Sequence, residues 1–201
     1  MLSCLLATRL DAQSRVEIGG FATIGSMTFT AADSFDAVLG SHRGAIYGGG
    51  ARVGLPLGGL FVEVGAWRLT QDGERVFISG DEVFPLGIPV EVTITPLEIT
   101  GGWRFRNFSQ RILPYAGGGW SSYRYEETSQ FADVAENVED RFSGFHLKGG
   151  VEVKLLRWLG VAGEWTWTTV PDSIGVGGAS EEFADTDLGG RSIRLKVTVG
   201  R

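Results

Sequence analysis

The stretch Ser143-Gly144-Phe145-His146-Leu147-Lys148-Gly149-Gly150-Val151-Glu152-Val153-Lys154-Leu155 reads with a period of two. Phe145, Leu147, Gly149, Val151, Val153 and Leu155 fall on one side, and His146, Lys148, Gly150, Glu152 and Lys154 on the other. Successive side chains of an extended chain point to opposite faces, so this stretch predicts a strand with one apolar and one ionic face. The pattern recurs. Ile193, Leu195, Val197 and Val199 alternate with Ser192, Arg194, Lys196 and Thr198. Leu97, Ile99, Gly101, Trp103 and Phe105 alternate with Glu98, Thr100, Gly102, Arg104 and Arg106. Leu159, Val161, Gly163, Trp165 and Trp167 alternate with Gly160, Ala162, Glu164, Thr166 and Thr168. Ala45, Tyr47, Ala51, Val53 and Leu55 oppose Gly48, Gly50 and Arg52.

Three further segments complete a set of eight. Arg15–Thr30 sets Val16, Ile18, Ala22 and Ile24 against Glu17 and Thr23, with Phe21 and Met27 on the polar side. Leu60–Thr70 sets Leu60, Val62, Val64 and Ala66 against Glu63, with Trp67 on the wrong face. Pro114–Tyr125 is rich in tyrosine and glycine, and its alternation leaves both facings open. Apolar parity flips from Val90, Val92 and Ile94 to Leu97 and Ile99, which places an expected bulge at Pro96. No amphipathic helix of useful length is predicted.

The connections alternate in length. Short ones fall at Pro56–Gly59, Asn107–Leu113 and Leu156–Trp158; long ones fall at Ala31–His42, Gln71–Pro89, Glu126–Phe142 and Pro171–Leu188. Short turns at one end and long loops at the other are the layout of outer-membrane barrels. The expected fold is therefore all-β: an eight-stranded antiparallel up-and-down transmembrane β-barrel with short periplasmic turns and four long extracellular loops.

Composition agrees with a curved sheet. Glycine contributes 31 of 201 residues beside 43% apolar and 11% aromatic residues, too hydrophobic for disorder. A net charge of −6 speaks against nucleic acid as a partner. No run reaches the 18 or so apolar residues of a membrane helix. Residues 1–12, ending Leu10-Asp11-Ala12, read as the remnant of an export signal, and 13–201 as the barrel domain. The single cysteine, Cys4, has no internal partner for a disulfide.

Periodicity alone does not say which face meets lipid. A soluble carrier of the lipocalin type turns its apolar face inward, and a membrane barrel reverses this. Three observations favour reversal. Trp103, Phe105, Tyr123, Tyr125, Trp158, Trp165 and Trp167 gather near strand ends, as rings at bilayer interfaces do. Glu63, Arg104, Lys148, Glu152, Glu164, Arg194 and Lys196 mix signs and are expected to neutralise one another in a narrow lumen. Acidic residues concentrate in the long loops, among them Glu136, Glu139, Asp140, Glu181, Glu182, Asp185 and Asp187.

Pro114-Tyr115-Ala116-Gly117-Gly118-Gly119, opening a strand after a short turn, resembles a pattern of small bacterial outer-membrane barrels of the OmpA-transmembrane and OmpX-like group. Arg157-Trp158-Leu159-Gly160-Val161 followed by Glu164-Trp165-Thr166-Trp167 is similar to their penultimate hairpin. The resemblance covers the chain after Ala12. It implies export through the periplasm to the bacterial outer membrane, where lipid and lipopolysaccharide are the surroundings.

An interior only wide enough for side chains predicts a polar plug and no diffusion channel. The expected role is structural or surface-interactive, as a monomer, with an extracellular partner meeting the acidic loops. No catalytic residue, cofactor or metal set is expected. The histidines, His42 and His146, match no lipid-modifying motif, and the loop carboxylates lack calcium-loop spacing. A soluble ligand carrier is the alternative, followed by an outer-membrane lipid-modifying enzyme or a small pore.

Overall fold

Alternating Val, Ile, Leu, Trp and Thr residues with glycines at crowded positions build strands here, and the strands close on themselves. The computed structural model describes residues 16–56, 58–79, 82–106, 109–129, 138–175 and 178–200. The expected export signal with Cys4, the loop residue Glu136 and part of the Asn107–Leu113 turn lie outside the described residues. The elements are β1 (Glu17–Phe29), α1 (Ala32–Leu39), β2 (Arg43–Gly54), β3 (Leu60–Ser79), β4 (Glu82–Arg104), β5 (Ile112–Thr128), β6 (Val138–Lys154), β7 (Leu159–Thr169), α2 (Gly178–Glu182) and β8 (Gly190–Gly200). Each strand pairs antiparallel with its sequence neighbours, and β8 pairs with β1, so the sheet is a closed eight-stranded up-and-down barrel. No helix among the described residues is long and apolar enough to cross a membrane.

The register fixes the shape. Pairs followed once around the wall from Thr28 run through Arg191, Trp167, Leu147, Gly118, Gly101, Val62 and Val53. They return to β1 at Ile18, ten residues from Thr28. With a rise of about 3.3 Å per residue and about 4.8 Å between strands, a stagger of ten over eight strands tilts each strand by roughly 40°. Each residue then climbs about 2.5 Å along the barrel axis.

Several expectations change. There is no bulge at Pro96, where β4 and β5 pair without interruption from Glu91 to Arg104. The shift in β4's pairing falls instead between Glu74 and Val76. Apolar parity flips because Val92 and Ile94 point into the lumen while Leu97 and Ile99 point out of it. The expected loop Gln71–Pro89 is mostly strand: β3 and β4 run beyond the wall as a hairpin that pairs only with itself from Gly73 to Val90. Two short helices occupy other long connections. The α1 helix ends at Gly40, whose φ of 68° closes it in the left-handed conformation that glycine adopts without strain.

Candidate functional site

The two faces of each strand meet different surroundings. Leu147, Val151, Leu195 and Val197 are 58%, 44%, 50% and 44% exposed, whereas Lys148, Glu152 and Arg194 are 4%, 5% and 4% exposed. The apolar face forms the outer wall and the ionic face lines the lumen. The outer apolar belt runs from Ile18, Leu159 and Val199 near the short turns to Ile24, Phe145 and Ile193 near the long loops. By the register it is about 22 Å tall, close to the roughly 25 Å band of outer-membrane barrels.

The lumen holds one connected ion-pair network. Arg52 donates from Nε to Glu63 Oε2 at 2.8 Å and from Nη1 to Glu152 Oε2 at 2.9 Å. Lys148 Nζ lies 3.2 Å from Glu63 Oε1 and 3.3 Å from Glu98 Oε2. Lys196 Nζ bridges Glu63 Oε1 at 2.8 Å and Glu164 Oε2 at 2.6 Å. Arg194 clamps Glu98 with both terminal nitrogens, at 2.9 and 2.8 Å. Trp67 Nε1 completes the Glu98 shell at 2.8 Å, and Tyr115 OH donates to Glu164 at 3.0 Å. Four cations thus face four carboxylates, so the buried charge is balanced among side chains. Toward the short-turn mouth, Arg104 Nη1 reaches Glu17 at 3.1 Å, and its Nη2 is 3.7 Å from Glu152.

All seven residues singled out for the lumen therefore come together. Reading the sequence missed Arg52, Glu98 and Glu17, although each stands on the polar side of an alternating strand. Glycines let neighbouring strands approach closely: a Cβ on Gly48 would run into the Ala66 carbonyl oxygen, and one on Gly119 into that of Ile99.

Above the network the lumen turns apolar. Met27, Phe29, Ile46, Trp67, Leu69, Val92, Ile94 and Tyr123 pack with Phe35 of α1 and with Val170 and Leu188. Phe35 stacks on Phe29 with ring centroids 4.3 Å apart, and Ser34 N and Oγ donate to Asp185 Oδ2 at 3.1 and 2.6 Å. Residues of the helix and of the last long connection pack over this end. Met27 and Trp67, which broke the alternation, sit on the inner face because this cluster needs them there.

Of the aromatic residues expected at the interfaces, Trp103, Phe105, Trp158, Trp165 and Trp167 are exposed on the outside. Tyr123 and Tyr125 are not. Tyr123 is fully buried, edge-on to Trp67 at 6.0 Å, and Tyr125 packs against the same cluster. Trp120 takes the outward position on β5, and parity then turns both tyrosines inward. Tyr47, Trp120 and Phe145 join Trp167 in the upper ring.

His146 is 1% exposed between two hydroxyls, Ser121 Oγ at 2.7 Å from Nδ1 and Thr100 Oγ1 at 2.8 Å from Nε2. His42 Nδ1 lies 2.8 Å from the Asp36 carboxylate, while the neighbouring Ser41 hydroxyl bonds to the Arg43 carbonyl. Among the described residues no three His, Cys, Asp or Glu side chains converge to hold a metal ion.

No protein-family model matches the chain, and none of the curated proteins does. Solved structures do. Neisserial surface protein A is similar over 92% of this chain and 95% of its own, at 12% identity and a TM-score of 0.57. OprG from Pseudomonas aeruginosa is similar over 92% and 94%, at 12% identity and a TM-score of 0.55. A major outer membrane protein from Thermus thermophilus is similar over 93% and 100%, at 11% identity and a TM-score of 0.57. The fold is that of the small outer-membrane barrels.

Proposed function

We propose that this protein is a bacterial outer-membrane barrel, exported through the periplasm, with a structural or surface-interaction role and no catalytic one. The observation that carries this reading is the inverted arrangement of polarity. A belt about 22 Å tall of exposed Ile, Leu, Val and aromatic residues surrounds an ionic lumen. In water such a surface would be a very large apolar patch, far beyond the few hundred Å² that monomeric soluble proteins tolerate. The soluble-carrier alternative requires the opposite facing.

The lumen acts as a plug. The reading is supported by charges that neutralise one another across the interior and by the apolar cluster beneath α1 at the long-loop end. A partner outside the cell would meet α1, α2, the β3–β4 hairpin and the acidic residues around them, since binding residues gather on loops held by a rigid scaffold. The His146 environment supports a packing role: both ring nitrogens are occupied by hydroxyls, deep beneath the apolar cluster.

Fractionation tests the location. The protein should remain with the outer membrane through osmotic shock, leave it only with detergent, and show heat-modifiable gel mobility. Release by osmotic shock would contradict it. Planar-bilayer recordings test the plug, with no steady conductance expected. A reproducible open level from the folded protein would overturn it.

A further inference from the structure

At the short-turn end of the lumen lies a cavity of about 530 Å³. The start of β1, the Leu156–Trp158 turn and the end of β8 line it, together with Arg52, Arg104, Glu152 and Lys154. Its volume falls within the roughly 300–1,000 Å³ of small-molecule sites. Phe21 stands between the cavity and the ion-pair network: it lines the cavity, and Lys196 Nζ lies 4.4 Å from its ring centroid. With the network beyond that ring, a ligand enters and leaves by the short-turn mouth.

The charge around this cavity is unbalanced. Arg52 and Glu152 belong to the neutral network. Outside it, the four cations Arg104, Arg106, Lys154 and Arg157 face one carboxylate, Glu17, a surplus of three positive charges. Two of the four already share Glu17. Arg106 holds it with both terminal nitrogens at 2.9 Å, and Arg104 Nη1 reaches it at 3.1 Å. Lys154 and Arg157 make no ion pair among the described residues. The Arg104 side chain is 11% exposed, and its Nε is buried with no hydrogen-bond partner among the described residues. A buried donor left unpaired is costly, and an acceptor that meets it recovers that cost.

We propose that this cavity binds a small organic phosphate monoester, taken up from the periplasmic side. Which side the mouth faces rests on the membrane reading above; the cavity and its surplus of positive charge do not. A phosphate monoester carries close to two negative charges and three strong acceptor oxygens, to be met by Arg104, Lys154 and Arg157. A carboxylate offers one charge and two oxygens. Guanidinium forks grip phosphate through paired hydrogen bonds, and an ammonium adds a compact point charge. The organic part of the ester rests on Phe21 and Leu156. Glu17 acts as the internal competitor, holding Arg104 and Arg106 until the phosphate arrives. The barrel thereby gains a binding role at the end opposite its acidic loops.

The test measures phenyl phosphate binding by calorimetry, with the protein refolded into phosphatidylcholine nanodiscs and heat-modifiable mobility reporting insertion. Benzoate and inorganic phosphate are the comparison ligands. The variants are Lys154→Gln/Arg157→Gln, Glu17→Gln, and Arg43→Gln at the far end as control. The wild type should bind phenyl phosphate about tenfold more tightly than benzoate, which lacks the second charge, and than inorganic phosphate, which lacks the apolar contact. Added salt should weaken binding. The double variant should lose about tenfold or more, Glu17→Gln should tighten binding severalfold, and Arg43→Gln should leave it unchanged. An inserted double variant that binds like the wild type overturns the site. Benzoate binding as tightly overturns the phosphate assignment, and equal binding of inorganic phosphate means an adventitious ion only. Phosphatidic acid mixed into the bilayer should not compete; competition by it would assign the site to a lipid headgroup and overturn the soluble ligand. Failure of the wild type to insert sinks the membrane reading itself, whereas insertion without phenyl phosphate binding sinks only the site.

Discussion

Glu98 accepts hydrogen bonds from a guanidinium, an ammonium and an indole at once, those of Arg194, Lys148 and Trp67. Its removal takes from Arg194 both of its short carboxylate bonds and from Lys148 one of two, leaving Arg194 under-compensated in a buried site. Glu98→Leu should therefore destabilise the folded barrel by about 3–5 kcal/mol, measured as a lowered urea midpoint in bilayers. The double variant Glu98→Leu/Arg194→Leu should lose much less than the two single losses added together. Equal and additive losses would show that the pair does not interact. Glu98 was legible as a polar-face residue of β4, but its partners on β6 and β8 were not, because pairing across a lumen depends on stagger and not on spacing along one strand. Tyr123 teaches the converse. Near a strand end it reads as an interface ring, yet it lies within the inner apolar cluster. Tyr123→Ala should cost about 3–5 kcal/mol, as for other buried aromatic truncations, whereas a lipid-facing tyrosine would cost far less.

The elements divide into a wall and what is added to it. Of the residues that broke the two-residue alternation, Met27, Trp67, Val92 and Ile94 face inward at the long-loop end, whereas Phe21 lies among the ionic residues with Lys196 over its ring. The sequence pattern was therefore most misleading along the apolar half of the lumen, where both faces of a strand are hydrophobic. The same ambiguity produced the expected bulge at Pro96. Loop lengths were misjudged for a related reason: the β3–β4 hairpin leaves the wall, so its alternation has no lumen to report on and its Pro85 and Pro89 read as loop. Since β3 beyond Gly73 and β4 before Val90 pair only with each other, the wall loses no ladder when the tip is removed. Replacing 76–86 with a short glycine turn should leave membrane insertion and heat-modifiability intact, with a thermal midpoint within a few degrees of the parent. Collapse of insertion would mean that the hairpin guides barrel closure.

At the level of the molecule, eight strands staggered by ten make a narrow cylinder, and the ion-pair network spans its middle. The outer wall then carries the apolar residues. This inversion was legible from mixed charge signs and terminal aromatics, because a lumen demands neutralised charge and an interface selects rings. The depth of the belt was not, since it emerges only when the register converts sequence positions into height. The most direct measurement places single nitroxide labels along β8 after Cys4→Ser, one at a time, at Ser192→Cys, Ile193→Cys, Leu195→Cys, Val197→Cys, Thr198→Cys and Val199→Cys. In phospholipid bilayers, oxygen collision rates should be high at 193, 195, 197 and 199 and low at 192 and 198, with a nickel chelate reaching none of the mid-belt sites. Labels at 195 and 197 that meet the water-soluble chelate and not oxygen would contradict the outward-facing belt.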